Sequence, residues 1–221
     1  MTAVNKLLAR LSAIDTCALS DALDKLGLAG QVTGLRRESG HGRVAGVAVT
    51  VKLGIGAPPS GKVTHLGTKA IEAANDSTII VVEQRTGVDA GCWGGLLTRG
   101  ALHAKVRAVV ADGPVRDIDE ARDLDFPIFT NRLTCLTARG RVVEKATNVP
   151  VRIGDITVSP GDYVVADGSS VIVIAPDQVD AVLEAAEAIV AREALMILEI
   201  AKDMRMSEVL GGNYEHMLER N

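Results

Sequence analysis

Three short apolar runs, separated by segments of helical pattern, limit what this chain can fold into more than any other feature. Val44-Ala45-Gly46-Val47-Ala48-Val49-Thr50-Val51, Thr78-Ile79-Ile80-Val81-Val82 and Val106-Arg107-Ala108-Val109-Val110-Ala111 each read as a buried strand. They are short and rich in β-branched residues, which suits a pleated surface better than a helix. A Gly/Pro-rich loop at residues 54 to 61 and a helix around residues 64 to 74 fill the first gap. In the second gap the pair Gly94-Gly95 opens a helix to about Lys105. This β-α-β alternation predicts a partly parallel sheet with helices packed on it. Composition fixes the filling: 47% of residues are hydrophobic but only 2% aromatic, so Val, Ile, Leu and Ala must build the core. A chain of 221 residues can bury a substantial core, and a single domain over residues 1–221 is expected.

The flanks read differently. Leu7, Leu8, Leu11 and Ile14 recur at helical spacing, and Thr16, or Ser20 with Asp21, starts a second helix that stops near Gly27. Two small helices thus occupy about residues 1–30. Beyond residue 117 a short helix precedes Phe126-Pro127-Ile128-Phe129, a small strand. From Val149 to Ile174 the chain is dense in β-branched residues, with turns at Gly154-Asp155, Pro160-Gly161-Asp162 and Asp167-Gly168, so strands and hairpins without helices are expected. Residues 177 to about 205 form a long helix with an Ala-rich face, and residues 206–221 are expected to be a loosely held tail.

Charge and cysteine usage exclude several functions. The net charge is −4 with no sustained basic stripe, which argues against nucleic-acid binding by phosphate neutralisation. Cys17, Cys92 and Cys135 are odd in number and far apart, as in a reducing compartment. No apolar run approaches the roughly 18 residues that span a bilayer, and residues 1 to 15 mix charges among apolar positions instead of forming a secretory core. A cytoplasmic protein without membrane partners is expected.

The chemistry-bearing candidates cluster after the third strand. Asp112-Gly113-Pro114-Val115-Arg116-Asp117 sets a fixed cation beside a carboxylate at a strand end, where α/β proteins keep their sites. Arg116 and Asp117 could hold an anion and a metal, and Gly94-Gly95 could offer bare backbone N–H groups. Each has a plainer reading as well: Asp117 as N-cap of residues 118 to 124, the glycine pair as a close helix-to-sheet contact. Gly56 to Val63 imitates a P-loop, but Val63 stands where a metal-binding hydroxyl belongs and Pro58-Pro59 removes donors. His41, His65, His103 and His216 lack metal-site spacing and read as surface or packing residues, His65 least securely because it borders the Gly/Pro-rich loop.

The order of these landmarks resembles the family of the regulator of ribonuclease E activity A and the class II 4-hydroxy-4-methyl-2-oxoglutarate aldolases. The likeness rests on Ser20-Asp21-Ala22-Leu23, the Val44 to Val51 run, Trp93-Gly94-Gly95-Leu96-Leu97, Asp112 to Asp117, Asn148-Val149-Pro150-Val151 and Val158 to Asp167. It implies an α/β fold of the swivelling β/β/α type, like the phosphohistidine domain, with N-terminal helices and a long C-terminal helix, assembled as a homotrimer or homohexamer. It further implies a lyase using Mg2+ or Mn2+ on small 2-oxo acids, as an oxaloacetate decarboxylase or a 4-hydroxy-2-oxo diacid retro-aldolase that releases pyruvate through an enolate. The metal-ligand aspartate falls on Asp117, the substrate-binding arginine on Arg116, and the carboxylate-gripping backbone on Gly94, Gly95, Leu96 and Leu97. A carboxylate lent by a neighbouring subunit falls on Glu193, with Glu199 competing. The alternative that the family implies is a non-catalytic regulator that binds and inhibits an RNA-processing enzyme.

One position departs from the aldolase pattern. An acidic residue is expected 21 positions before the arginine, and Gly95 stands there. Glu83, Asp89 or a neighbour's Glu193 are the candidate replacements; decarboxylation, which has no substrate hydroxyl to deprotonate, needs this group less.

Overall fold

The computed structural model describes residues 2–57 and 64–211. Most of the P-loop-like stretch, His216 and residues 212–221 lie outside them. In chain order the elements are α1 (Ala3–Ala13), α2 (Thr16–Leu26), β1 (Gln31–Val32), β2 (Arg36–Ser39), β3 (Val44–Gly54), α3 (Thr68–Glu72), β4 (Thr78–Glu83), α4 (Gly95–His103) and β5 (Ala108–Val115). There follow α5 (Ile118–Asp123), β6 (Ile128–Leu133), β7 (Val143–Thr147), β8 (Val151–Ile153), β9 (Ile156–Val158), β10 (Tyr163–Ala166), β11 (Val171–Ile174), α6 (Val179–Ile200) and α7 (Met206–Val209).

The expected alternation builds the middle of the main sheet, whose order is β1-β11-β10-β3-β4-β5-β6-β2 with β7 also paired to β3. The pairs β3/β4, β4/β5 and β5/β6 are parallel, and the outer pairs antiparallel. Alternate residues of β4 enter different cores: Ile80 and Val82 pack with α3, α4 and α5, while Ile79 and Val81 pack with Val164, Val173 and the β8–β9 hairpin. A third cluster joins α1, α2 and α6 to β10, β11 and Ala45. Ala45 and Val51 lie on the same face of β3, so all six of these helices cover one face and the sheet curls its other face onto itself and the hairpin.

Local chemistry sets the helix ends. Asp15 caps α2 by accepting the Ala18 N–H at 2.8 Å, and Gly27, at φ 66, ends it in the left-handed conformation. In α6 the residues Val179, Val182, Leu183, Ala186 and Ile189 are buried, whereas Leu195, Ile197, Leu198 and Ile200 are exposed. The helix therefore overhangs the body from about residue 191. It stops at Ile200, earlier than expected, and α7 gives the beginning of the supposedly loose tail a helical turn, with Arg205 and Glu208 paired at 3.1 Å.

The third strand differs most from expectation. It begins at Ala108 and runs through Asp112-Gly113-Pro114-Val115, which the sequence reading places after the end of the strand. The β5/β6 register shifts between Ala111 and Pro114. A bulge there accommodates a proline that cannot donate to a ladder. Gly113 is required by packing, since a Cβ would stand 2.6 Å from Gln84 Cβ. No helix among the described residues is long and apolar enough to cross a membrane.

Candidate functional site

The extension of β5 carries Arg116 and Asp117 to the foot of α4. Residues 91 to 93 run alongside it: Cys92 N–H donates to Pro114 O at 2.8 Å, and Arg116 N–H donates to Trp93 O at 3.0 Å. Trp93 is 1% exposed, and its indole N–H donates to Thr98 Oγ1 at 3.0 Å, which fixes the first turn of α4. Gly94-Gly95 therefore faces Arg116-Asp117. A Cβ on Gly91 would stand 3.0 Å from Arg116 Cγ and Cδ, and one on Gly94 would stand 3.0 Å from Arg116 Cγ and 2.9 Å from Asp117 Oδ2. The two glycines leave the slot in which the arginine stem lies.

Asp117 occupies the N-cap position of α5, as the plainer reading expects, but its side chain makes no capping bond. It sits at φ 57, a left-handed conformation that a non-glycine residue adopts at some cost. The carboxylate turns to the other helix: Oδ2 accepts the Gly95 N–H at 3.0 Å, and Oδ1 accepts from Arg116 Nε at 3.3 Å. Gly95 is thus removed from the expected anion-binding donors. The amides of Leu96 and Leu97 have no hydrogen-bond acceptor among the described residues and are the donors left at the helix start.

Around these groups lies a cleft of about 180 Å3. Gly94, Gly95, Leu96, Leu97, Arg116 and Asp117 all line it, so the structure brings together six of the seven predicted site residues. His65 and Arg139 join them, and Leu96 stands 86% exposed at the rim.

The seventh, Glu193, does not reach this cleft within one chain. It lies on α6 beyond the last buried residue of that helix. Partial burial and the nearby carboxylates of Asp15 and Asp21 raise its pKa. Glu199 pairs with Lys202 at 3.0 Å.

Two of the proposed stand-ins for the acid missing at Gly95 are not brought to the cleft either. Glu83 follows Val81 onto the opposite sheet face, where its Oε2 accepts the Arg152 N–H at 2.5 Å. Asp89 is exposed and absent from the lining. Glu120, which sequence reasoning missed, is also absent from the lining but is the carboxylate that lies against Gly95. A Cβ built on Gly95 would overlap its carboxylate, which is ion-paired to Arg99. Glu120 lies one helical turn beyond Asp117, and that i, i+3 spacing on α5 is the signal that could have found it.

The family described as Aldolase/RraA matches residues 16–173. The chain is 28% identical to the protein DlpA of Legionella pneumophila over 80% of its own length, and spans 29% of that protein. It is 30% identical to a Halalkalibacterium halodurans protein named "Putative 4-hydroxy-4-methyl-2-oxoglutarate aldolase", covering 79% of each. Among solved structures, a Streptomyces coelicolor protein described as an unusual member of the RNase ES inhibitor RraA protein family superposes with a TM-score of 0.79. That match has 23% identity and covers 88% of this chain and 98% of the other. The swivelling fold expected from the sequence is the one observed.

Proposed function

The chain belongs to the Aldolase/RraA family, and from that premise we propose that it is a divalent-metal-dependent carbon–carbon lyase acting on small 2-oxo acids. The observation that carries this reading is the meeting of Arg116, Asp117 and the two spare amides of Leu96 and Leu97 in one small cleft.

The donor set fits a hard cation. Each Asp117 oxygen accepts one hydrogen bond and keeps a further lone pair. No cluster of three or more His, Cys, Asp or Glu suited to a metal exists among the described residues. One carboxylate with water and substrate completing the shell is the usual manner of Mg2+ binding, and Mn2+ favours the same oxygen ligands. Bound at Asp117, such an ion would supply Lewis-acid stabilisation of charge on the substrate's oxo oxygen.

The chain's own groups have separate tasks. The Leu96 and Leu97 amides hold the substrate's C1 carboxylate and fix its orientation. In decarboxylation of oxaloacetate the C3–C4 bond breaks, CO2 leaves, and the electron pair passes into a pyruvate enolate that then takes a proton at C3. In retro-aldol cleavage of a 4-hydroxy-2-oxo diacid the same bond breaks after the C4 hydroxyl loses its proton, leaving the same enolate and a carbonyl fragment. Arg116 stabilises the enolate oxygen in both. Glu120, whose carboxylate fills the space beside Gly95, is the proton acceptor for the second reaction.

Assembly into a trimer or hexamer belongs to the same reading. The exposed Leu195, Ile197, Leu198 and Ile200 of α6 and the exposed Leu96 at the cleft rim supply apolar surface for a second copy. In that assembly Glu193 is lent to a neighbouring cleft. The test is a panel of 2-oxo acids with and without chelator: pyruvate release should require the metal and disappear in Asp117→Ala and Arg116→Ala. Activity that survives both substitutions would defeat the assignment.

A further inference from the structure

Arg139 carries a charge that nothing else described in the chain uses. Several other arginines of the chain are engaged: Arg99 with Glu120, Arg122 with Asp119, and Arg141 with the Thr137 carbonyl at 3.1 Å. The Arg139 side chain makes no hydrogen bond or ion pair among the described residues, yet it lines the same cleft as Arg116 and Asp117.

Its base is fixed. Gly91 N–H donates to Leu136 O at 2.9 Å, Val142 N–H donates to Ala138 O at 3.0 Å, and Ala138 is buried. The position that a Cβ on Gly91 would take lies 3.2 Å from Leu136 O and 3.0 Å from the Arg116 stem, so the loop bearing Arg139 abuts that stem. A long side chain on an anchored loop can sweep the outer part of the cleft while its backbone stays in place.

The charges in the cleft have a direction. Within one copy two arginines and one aspartate line it, and a Glu193 lent by a neighbour, set against a divalent cation, leaves the balance positive. Arg116 already shares its charge with Asp117 at 3.3 Å, and the spare helix amides suit the carboxylate beside the oxo group. A substrate with a single carboxylate would leave Arg139 idle.

We infer that Arg139 is a specificity-determining residue that receives a second carboxylate, at the far end of a five-carbon 2-oxo diacid, where it stays on the carbonyl fragment and is not the group lost as CO2. The inference rests on the 2-oxo-acid reading above. It selects, within that reading, diacids over monoacids of equal length, because a planar guanidinium meets a carboxylate by paired charge-assisted hydrogen bonds.

The experiment uses a matched pair of unreactive probes, 2-oxoglutarate and 2-oxopentanoate, which differ only at the far end. Their binding to the full chain is measured by calorimetry in the presence of Mg2+. Wild type should bind the diacid about 10- to 100-fold more tightly, the effect of hydrogen bonds to a charged group. Arg139→Ala should lose that preference while keeping its affinity for the monoacid, and Arg139→Glu should prefer the monoacid. Arg116→Ala should weaken both probes alike. Arg139 is exposed, so the variants should melt as wild type does, and thermal unfolding checks this. Equal binding of the two probes by wild type, or a preference unchanged in Arg139→Ala, overturns the inference and leaves the 2-oxo-acid reading standing. Failure of wild type to bind either probe removes both.

Discussion

The two faces of the sheet treat carboxylates in opposite ways at the same strand ends. On the inner face Glu83 and Asp112 are register partners on β4 and β5, each about 9% exposed. Glu83 accepts the Arg152 N–H and lies 3.5 Å from Lys52; Asp112 accepts from Asn131 at 2.7 Å and from the Gly154 N–H at 2.8 Å. Their oxygens pin the β8–β9 hairpin to the strands. On the outer face Asp117 is more open, sits in a left-handed backbone conformation, and leaves lone pairs spare beside a cation. The buried pair has the stronger environment and the exposed residue the freer valence. In this fold a deeply held carboxylate marks architecture, and a partly satisfied one on a strained residue marks the candidate chemistry.

The largest effects should break the two faces apart. Asp117→Asn keeps a side chain that tolerates the left-handed conformation and can still accept the Gly95 N–H, but removes the charge. The proposed metal-dependent lyase activity should fall by about 10^3-fold in kcat/KM while the unfolding free energy stays within about 0.5 kcal/mol of wild type. Asp112→Ala should do the reverse. It removes the acceptor of the half-buried Gly154 N–H and of the Asn131 amide, so chemical denaturation should show a loss of about 2–3 kcal/mol, with the proposed turnover by the folded protein changed only a few-fold. A folded but inactive Asp112→Ala protein would show that the inner face is also part of the site.

Gly95→Ala sharpens the comparison on the outer face alone. The added methyl meets the far end of the Glu120 side chain, which can swing away, so folding should lose no more than about 1 kcal/mol. Retro-aldol cleavage should drop about tenfold and oxaloacetate decarboxylation should hold, because only the former needs a proton acceptor beside Gly95. Equal losses in the two reactions would remove Glu120 from the proton path.

Much of this arrangement was legible in the chain. The three apolar runs give the parallel centre of the sheet because their period and β-branched content answer to burial on two faces. Arg116, Asp117 and the Gly94 to Leu97 turn were legible as candidates, and they meet in one cleft, because a charged pair at a strand end and a glycine-opened helix are local features. The extent of β5 was not, since Gly-Pro signals a turn locally and only the bulge against β6 makes it strand. Nor was the choice among carboxylates. Glu83 and Asp112 end on the inner face through strand parity, and Glu120 enters the Gly95 gap through the packing of α5 on α4; both are tertiary facts. Asp117 showed its N-cap position in sequence, but the diversion of its side chain to the Gly95 amide depends on a partner 22 residues away.

The smallest effect concerns Glu193, which resembles neither face. Its pKa is raised, first by burial and then by the Asp15 and Asp21 carboxylates, so its ionisation works against folding in the isolated chain. For a carboxyl group shifted this way, the stabilising contribution is complete below the ordinary glutamate pKa and is lost as pH rises through the raised folded value. Glu193→Gln should therefore match wild type in acid and become slightly the more stable of the two just above the usual carboxylate range, as measured by unfolding across a pH series. The sign carries the information. If Glu193 is instead lent to a neighbouring cleft beside a cation and Arg116, its charged form is the favoured one. The Gln variant would then be the less stable above that range, and the difference would grow with added metal.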